Sequence, residues 1–261
     1  MRVSLIITTY NRPDSLLLTM RSVENQVTLP DEVIIADDGS SSETLELIND
    51  FQKSSDLTII HSWQTDKGFR VAKSRNKAIS KSSGNYIILI DGDMILHTEF
   101  IRDHINNAEP GFFVQGSRVL LSEDKTEQSL NQKKINFSFI SDGLQNQKNA
   151  LHSNILSKLF SNKKNYLRGI KTCNMSFYKQ DCININGFNN EFNGWGREDS
   201  EFIVRLLNSG VNRKNVRFNA IQFHLWHNEN TRESIDKNDA ILKTTIDSKA
   251  KWCDNGLNKC I

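Results

Sequence analysis

A chain of 261 residues with 37% hydrophobic and 25% charged residues has the composition of an ordinary folded protein, long enough for a sizeable α/β core. Its formal net charge of +2 is too small to point to a nucleic-acid partner. The longest apolar runs, such as residues 3–7 and 86–90, fall far short of the ~20 residues a membrane-spanning helix needs. A strand-like run starting right after Met1 and Arg2 leaves no room for a signal peptide, so the expected compartment is the cytoplasm. Four cysteines at 173, 182, 253 and 260 are too few and too irregular for a disulfide framework and are expected to be reduced, although Cys253 and Cys260 are able to pair in an oxidising setting.

Residues 3–9 form an apolar run of strand length, and Pro13 with Asp14 opens a segment whose Leu16, Leu17, Met20 and Val23 recur at helical spacing. Residues 32–37 repeat the strand signal, and Leu45, Ile48 and Phe51 mark a second amphipathic helix behind the cap candidates Ser40 to Ser42. Residues 57–61 read as a third strand, 71–80 as a helix stopped near Gly84, and 86–90 as a fourth strand buried on both faces. This alternation predicts an α/β fold with a mostly parallel, doubly wound sheet. Composition then turns to Lys, Asn, Gln and Ser across residues 122–165, the pattern of either a disordered linker or a lid over a site. Order is expected again in a strand at 171–178, a helix at 198–208 ended by Gly210, a last strand at 216–226 and a surface helix from Asp236 onward.

Ligands of such sheets collect at the carboxyl ends of the strands, and the polar clusters fall there. Asp91-Gly92-Asp93 follows the fourth strand, and two aspartates one residue apart can hold a hard divalent cation against the oxygens of a diphosphate. Residues 8–12 (Thr-Thr-Tyr-Asn-Arg) and 36–40 (Ala-Asp-Asp-Gly-Ser) offer hydroxyls, amides and a carboxylate for a base or ribose. Arg70 and Arg75 supply planar cations suited to a diphosphate, whereas Lys73, Lys77 and Lys81 read as a solvated helix face. Gly194-Trp195-Gly196-Arg197-Glu198-Asp199 sets an aromatic between glycines, then two acids at a helix start. The Trp face suits a sugar ring, and a carboxylate there can take a proton from an attacking hydroxyl. His224 and His227 end the last strand, and either can complete a metal site begun by Asp93.

Taken in order, these strings together with Arg-Asn-Lys-Ala at 75–78 and Cys-Asn-Met-Ser at 173–176 resemble family 2 glycosyltransferases of GT-A fold. The Gly-Trp-Gly-x-Glu-Asp string is similar to the carboxyl-terminal region of β-1,4-galactosyltransferases and of chondroitin-synthase-like enzymes. The resemblance covers residues 2–100 and 171–232. It implies a Rossmann-like, mostly parallel central sheet flanked by helices, in one domain over 1–261. Residues 1–105 would form its nucleotide-sugar half and 106–235 its acceptor half, followed by a tail at 236–261. It further implies that Thr8, Tyr10, Arg12 and Asp38 hold the nucleoside with Arg75 nearby, that Asp91 faces the ribose or donor sugar, and that Asn174 lies beside that sugar. Asp93 would bind Mn²⁺ or Mg²⁺ with His224 or His227 as a later ligand. Trp195 would floor the acceptor site, Asp199 would be the catalytic base, and Glu198 would contact either sugar. The implied activity is inverting transfer from a UDP-sugar carrying Gal, GalNAc, Glc or GlcNAc to an oligosaccharide or glycolipid. The setting would be bacterial surface polysaccharide or lipooligosaccharide synthesis, with peripheral membrane contact open through the basic insertion. A nucleotidyltransferase would more naturally carry a glycine-rich loop after its first strand, and residues 8–13 contain no glycine. A non-catalytic sugar-binding module would not need both Asp199 and the Asp93 site.

Overall fold

The computed structural model describes residues 1–228 and 232–260. Its first part is the alternation that the apolar periodicity predicts: β1 (Val3–Thr9), α1 (Pro13–Glu24), β2 (Glu32–Asp37), α2 (Ser42–Ser54), β3 (Ile59–Trp63), α3 (Val71–Lys81) and β4 (Tyr86–Asp91). Successive side chains along a strand point to opposite faces, and here both faces are covered. Leu5, Ile7, Val33, Ile35, Ile88 and Ile90 pack with Leu16 and Met20 of α1 and Ile48 of α2. Ile6, Ile34, Ile87 and Leu89 pack on the other side with Ala72 and Ile79 of α3. Full burial of each such side chain contributes about 1.5–3 kcal/mol, which is why these strands read as near-continuous apolar runs. β1 is central and pairs in parallel with β2 and β4, so that Thr8 stands opposite both Ala36 and Asp91.

The second part is less regular. It comprises β5 (Met94–Leu96), α4 (Phe100–Asn107), β6 (Phe112–Gln115), β7 (Ser117–Leu121), α5 (Glu123–Gln132), β8 (Leu144–Gln145), α6 (Asn154–Phe160), β9 (Asn162–Lys163), β10 (Asn174–Tyr178), α7 (Lys179–Asn184), α8 (Glu198–Asn208), β11 (Asn212–Asn215), β12 (Ile221–His224) and α9 (Ile235–Asp247). The large sheet has the order β3-β2-β1-β4-β10-β6-β11-β9 and is mostly parallel, with β10 antiparallel to both of its neighbours. A second sheet, β5-β12-β7-β8, was not foreseen from the sequence.

Three segments differ from what the sequence pattern suggests. Residues 122–165 are not a bare linker: Ser122 caps α5 by accepting from the Lys125 N–H, and Phe137 and Ala150 join Val119, Ile221 and Phe223 in a third apolar cluster. The expected strand at 216–226 shrinks to β12, because Phe218 and Ala220 adopt positive φ (61° and 50°) and break the extended run. The polar stretch Asn212–Asn215, not recognised as a strand, forms β11 by pairing in parallel with β6. All four cysteines are free thiols. Among the described residues no helix is long and apolar enough to cross a membrane.

Candidate active site

Register brings the site together. Asp91 closes β4 beside Thr8, and the Gly92 N–H donates to the Thr8 carbonyl at 2.7 Å, turning the chain so that Asp93 leaves the sheet edge. β5 then runs antiparallel to β12 with Met94 opposite His224, and the Leu225 N–H donates to the Asp93 carbonyl at 3.0 Å. Two imidazoles distant in sequence therefore meet Asp93. Its Oδ2 lies 3.6 Å from His224 Nε2 and 3.4 Å from His227 Nε2, and accepts from Arg12 Nη1 at 3.1 Å. The candidate ligand atoms of Asp93, His224 and His227 all fall within 4.8 Å of one another. Burial raises the Asp93 carboxyl, but His224, Arg12 and His227 outweigh it and hold the group below the usual carboxylate range. Its other oxygen, Oδ1, is buried without a hydrogen-bond partner. One carboxylate with an unsatisfied oxygen and two imidazoles make a donor set that fits a divalent cation.

Beside this cluster Arg75, 4% exposed, gathers three acids. It donates to Asp91 Oδ1 at 3.2 Å, to Asp199 Oδ1 at 3.0 Å and, at the limit of contact, to Glu198 Oε1 at 3.5 Å. Burial alone would favour the neutral guanidine, yet Asp199, Asp91 and Glu198 drive its pKa upward, so the charge is locked in. Loss of water around Asp91, added to repulsion from Asp93 and Asp199, pushes that carboxyl up to about 6 despite Arg75. Glu198 is pushed up to about 8 by burial and then by Asp199. Glu198 and Asp199 open α8, where acids are favoured by the helix dipole. Asp199 is further fixed by Thr172, whose N–H donates to Oδ2 at 2.9 Å and whose hydroxyl donates to Oδ1 at 2.6 Å.

The remaining expected residues divide between the crevice and its supports. Thr8 accepts from Arg75 Nε at 3.3 Å, so Arg75, expected near the nucleoside, is a strut joining β1, β4 and α8. Tyr10 is half exposed and its hydroxyl donates to Asp66 at 2.9 Å. Asp38 accepts from Gln64 Nε2 and from the Arg70 N–H at 2.6 Å, and burial raises its carboxyl. Its neighbour Asp37 is enclosed by the Gly39 and Ser40 N–H groups and by His61. Asn174 is buried with its amide fully engaged: Nδ2 donates to the Ser117 and Ala220 carbonyls, and Oδ1 pairs with His104 Nε2 at 3.0 Å. Its side chain is therefore a joint between the two sheets. Trp195 is 40% exposed, with the Arg232 guanidinium 5.4 Å from its ring centroid. Gly194 has φ 74°, and a Cβ there would lie 2.2 Å from Ser234 Oγ, so the glycine is required where the loop presses on α9. Thr172, Gln64 and Asp66 were missed from sequence; Thr172 had one signal, its place two residues before Asn174 in the Cys-Asn-Met-Ser segment.

Comparison with known proteins gives this geometry a context. Residues 4–183 match the family described as Glycosyl transferase family 2, and residues 154–228 match the N-terminal domain of galactosyltransferase. The hyaluronan synthase of Pasteurella multocida is 26% identical over 234 residues, covering 80% of this chain and 23% of that protein. The chondroitin synthase of Escherichia coli is 28% identical over 245 residues, covering 85% of this chain and 34% of its own length. The chain thus spans only about a quarter to a third of these relatives. In fold it is similar to S. aureus TarS 1-349 in complex with UDP, with a TM-score of 0.60 at 16% identity over 94% of this chain and 65% of that one. The same protein in complex with UDP-GlcNAc gives a TM-score of 0.57 at 15% identity, over 94% of this chain and 66% of that one.

Proposed function

The chain belongs to glycosyl transferase family 2, and from that premise we propose that it moves a hexose or N-acetylhexosamine from a UDP-sugar to a glycan hydroxyl, inverting the anomeric centre. The observation that carries the reading is the convergence, at one sheet edge, of the Asp93–His224–His227 cluster with Asp199, itself oriented by Thr172 and Arg75. A UDP donor is supported by the UDP and UDP-GlcNAc complexes of the similarly folded TarS. An oligosaccharide or glycolipid acceptor in surface polysaccharide synthesis is supported by the polysaccharide synthases among the relatives.

In this reading residues 1–105 hold the donor and 106–235 the acceptor. Tyr10, Arg12 and Asp38 contact the nucleotide, and Asp91 faces the ribose or donor sugar. Trp195 offers its exposed face to the acceptor ring. Mn²⁺ or Mg²⁺ held by Asp93, His224 and His227 would supply positive charge against the diphosphate leaving group. Asp199 takes the proton of the acceptor hydroxyl as its oxygen bonds to the anomeric carbon and the bond from that carbon to the diphosphate oxygen breaks. Burial and then Asp199 push the Glu198 carboxyl up to about 8, so the base role goes to Asp199 and Glu198 is assigned a contact to a sugar. Arg75 holds both acids in place.

The test is nucleotide release from UDP-Gal, UDP-GalNAc, UDP-Glc, UDP-GlcNAc and a GDP-sugar, with Mn²⁺ or with EDTA, followed by proton NMR of the product. Metal-dependent release from one UDP-sugar and a product of opposite anomeric configuration are expected. Retention of configuration, or release indifferent to EDTA, would overturn the mechanism.

A further inference from the structure

Beyond the Asp93 cluster the carboxyl edge of the large sheet continues to the ends of β6 and β11, and a cavity of about 320 Å³ opens there. Its wall carries Arg118, Lys171 and Arg217, and neither Asp nor Glu lines it. Among the described residues none of these three cations has a carboxylate within ion-pair distance. The Arg217 guanidinium lies over the Phe218 ring at 5.5 Å, and it is the backbone carbonyl of Arg118 that Asn146 and Asn149 bind. Those two asparagines come from the 122–165 segment and form a further wall, which gives that segment a place in the site. Three like charges around one space repel one another unless an anion joins them.

The cavity also adjoins the acids. Lys171 precedes Thr172, which fixes Asp199. Lys171 is depressed by burial and then by Arg118, a sign that the two cations share one space. Cys173, which lines the cavity, is pushed up to about 12 by burial and feels the charges of Asp91, Arg118, Asp199 and Lys171.

We propose that the acceptor carries an anionic group, carboxylate or phosphate, which Arg118, Lys171 and Arg217 receive in this cavity while the neighbouring hydroxyl faces Asp199. The proposal rests on the transferase reading for the word acceptor, but the anion site itself does not depend on it. Arginine forks bind such groups through paired charge-assisted hydrogen bonds.

Three oligosaccharides separate the cases: one ending in a hexuronate, its carboxyl-reduced neutral counterpart, and one ending in a hexose phosphate. Each is titrated calorimetrically against the chain in the presence of UDP and Mn²⁺, at low and high salt. At least one anionic probe binds about 10- to 100-fold tighter than the neutral one, the worth of a hydrogen bond or two to a charged group, and which one does so identifies the source. The advantage shrinks at high salt. It is lost in the double variant Arg118→Gln, Lys171→Gln. Equal binding of neutral and anionic probes, or a preference that survives the double variant, overturns the proposal; the salt dependence of the unaltered chain decides the matter if the variant does not fold. UDP release is read in parallel. A chain that prefers the anionic probe yet releases no UDP from any donor keeps the anion site and loses the transferase reading, whereas turnover onto neutral acceptors alone does the reverse.

Discussion

The two halves of the molecule carry similar numbers of site residues but assemble them differently. In residues 3–91 the polar groups sit at the ends of parallel strands, so backbone register alone sets Thr8 opposite Asp91 and Thr9 opposite Asp37. In residues 94–228 the groups come from strand ends, a helix start and loops, and beside the His224 register against Met94 they depend on side-chain joints: Asn174 between the sheets and Thr172 on Asp199. The first half is a rigid edge. The second is built onto it through contacts that single substitutions can remove, and Arg75 ties the two together.

If that contrast holds, the largest effect follows from the group the second half positions. Asp199→Asn should lower kcat by about 10²- to 10⁴-fold while UDP binding, assigned in the proposed function to the first half, persists in calorimetry. Near-full activity would remove Asp199 from the base role. Next, Phe137→Ala should destabilise the fold by about 3–5 kcal/mol in urea unfolding, because its ring packs on Phe223 at 5.1 Å. A loss below about 0.5 kcal/mol, the usual surface value, would mean that the 122–165 segment is a loose flap after all. His224→Ala and His227→Ala should each weaken Mn²⁺ binding by about 10- to 100-fold, at least the cost of losing a group that supports a metal ligand. If only one does so, the other imidazole belongs to the protein frame.

The smallest effect at neutral pH is acid sensitivity of the second half. Burial lowers both His97 and His104 to about 4 from an ordinary 6.5, with His152 adding to the shift at His97. The folded state holds these rings neutral while the unfolded chain protonates them, so stability is full above about 6.5 and falls as pH drops toward 4. Hydrogen exchange between pH 7 and 4.5 should show α4 and β10 loosening before β1 and β2. The reverse order would place the acid-labile contacts in the first half.

How much was legible in the sequence follows the same division. The apolar alternation through β4 and the acids at strand ends could be read directly, since each strand is buried on both faces and each helix shows a 3.6-residue stripe. β11 could not: Asn-Arg-Lys-Asn has no apolar pattern, and it is held by backbone pairing and by Arg213, which is buried against the Tyr166 ring and donates to the Tyr166 and Arg168 carbonyls. α5 was hidden because Lys125, Thr126 and Ser129, not apolar residues, face inward. For the site, the string before α8 and the Asp91–Asp93 pair stood out as residue types. Residue types alone suggest His224 and His227 as partners of Asp93, but their convergence depends on the β5–β12 register, which no local pattern encodes. Arg75 and Asn174 suit ligands by their chemistry, and no local pattern encodes the contacts the structure gives them, with acids and with backbone carbonyls.

The most direct test of the account is an electron paramagnetic resonance titration of Mn²⁺, with UDP present, comparing the unaltered chain with Asp93→Asn. The account predicts one tightly bound Mn²⁺ per chain, lost in the variant together with UDP release from the donor sugar. Equal Mn²⁺ binding by both proteins would contradict a metal centre at Asp93, His224 and His227.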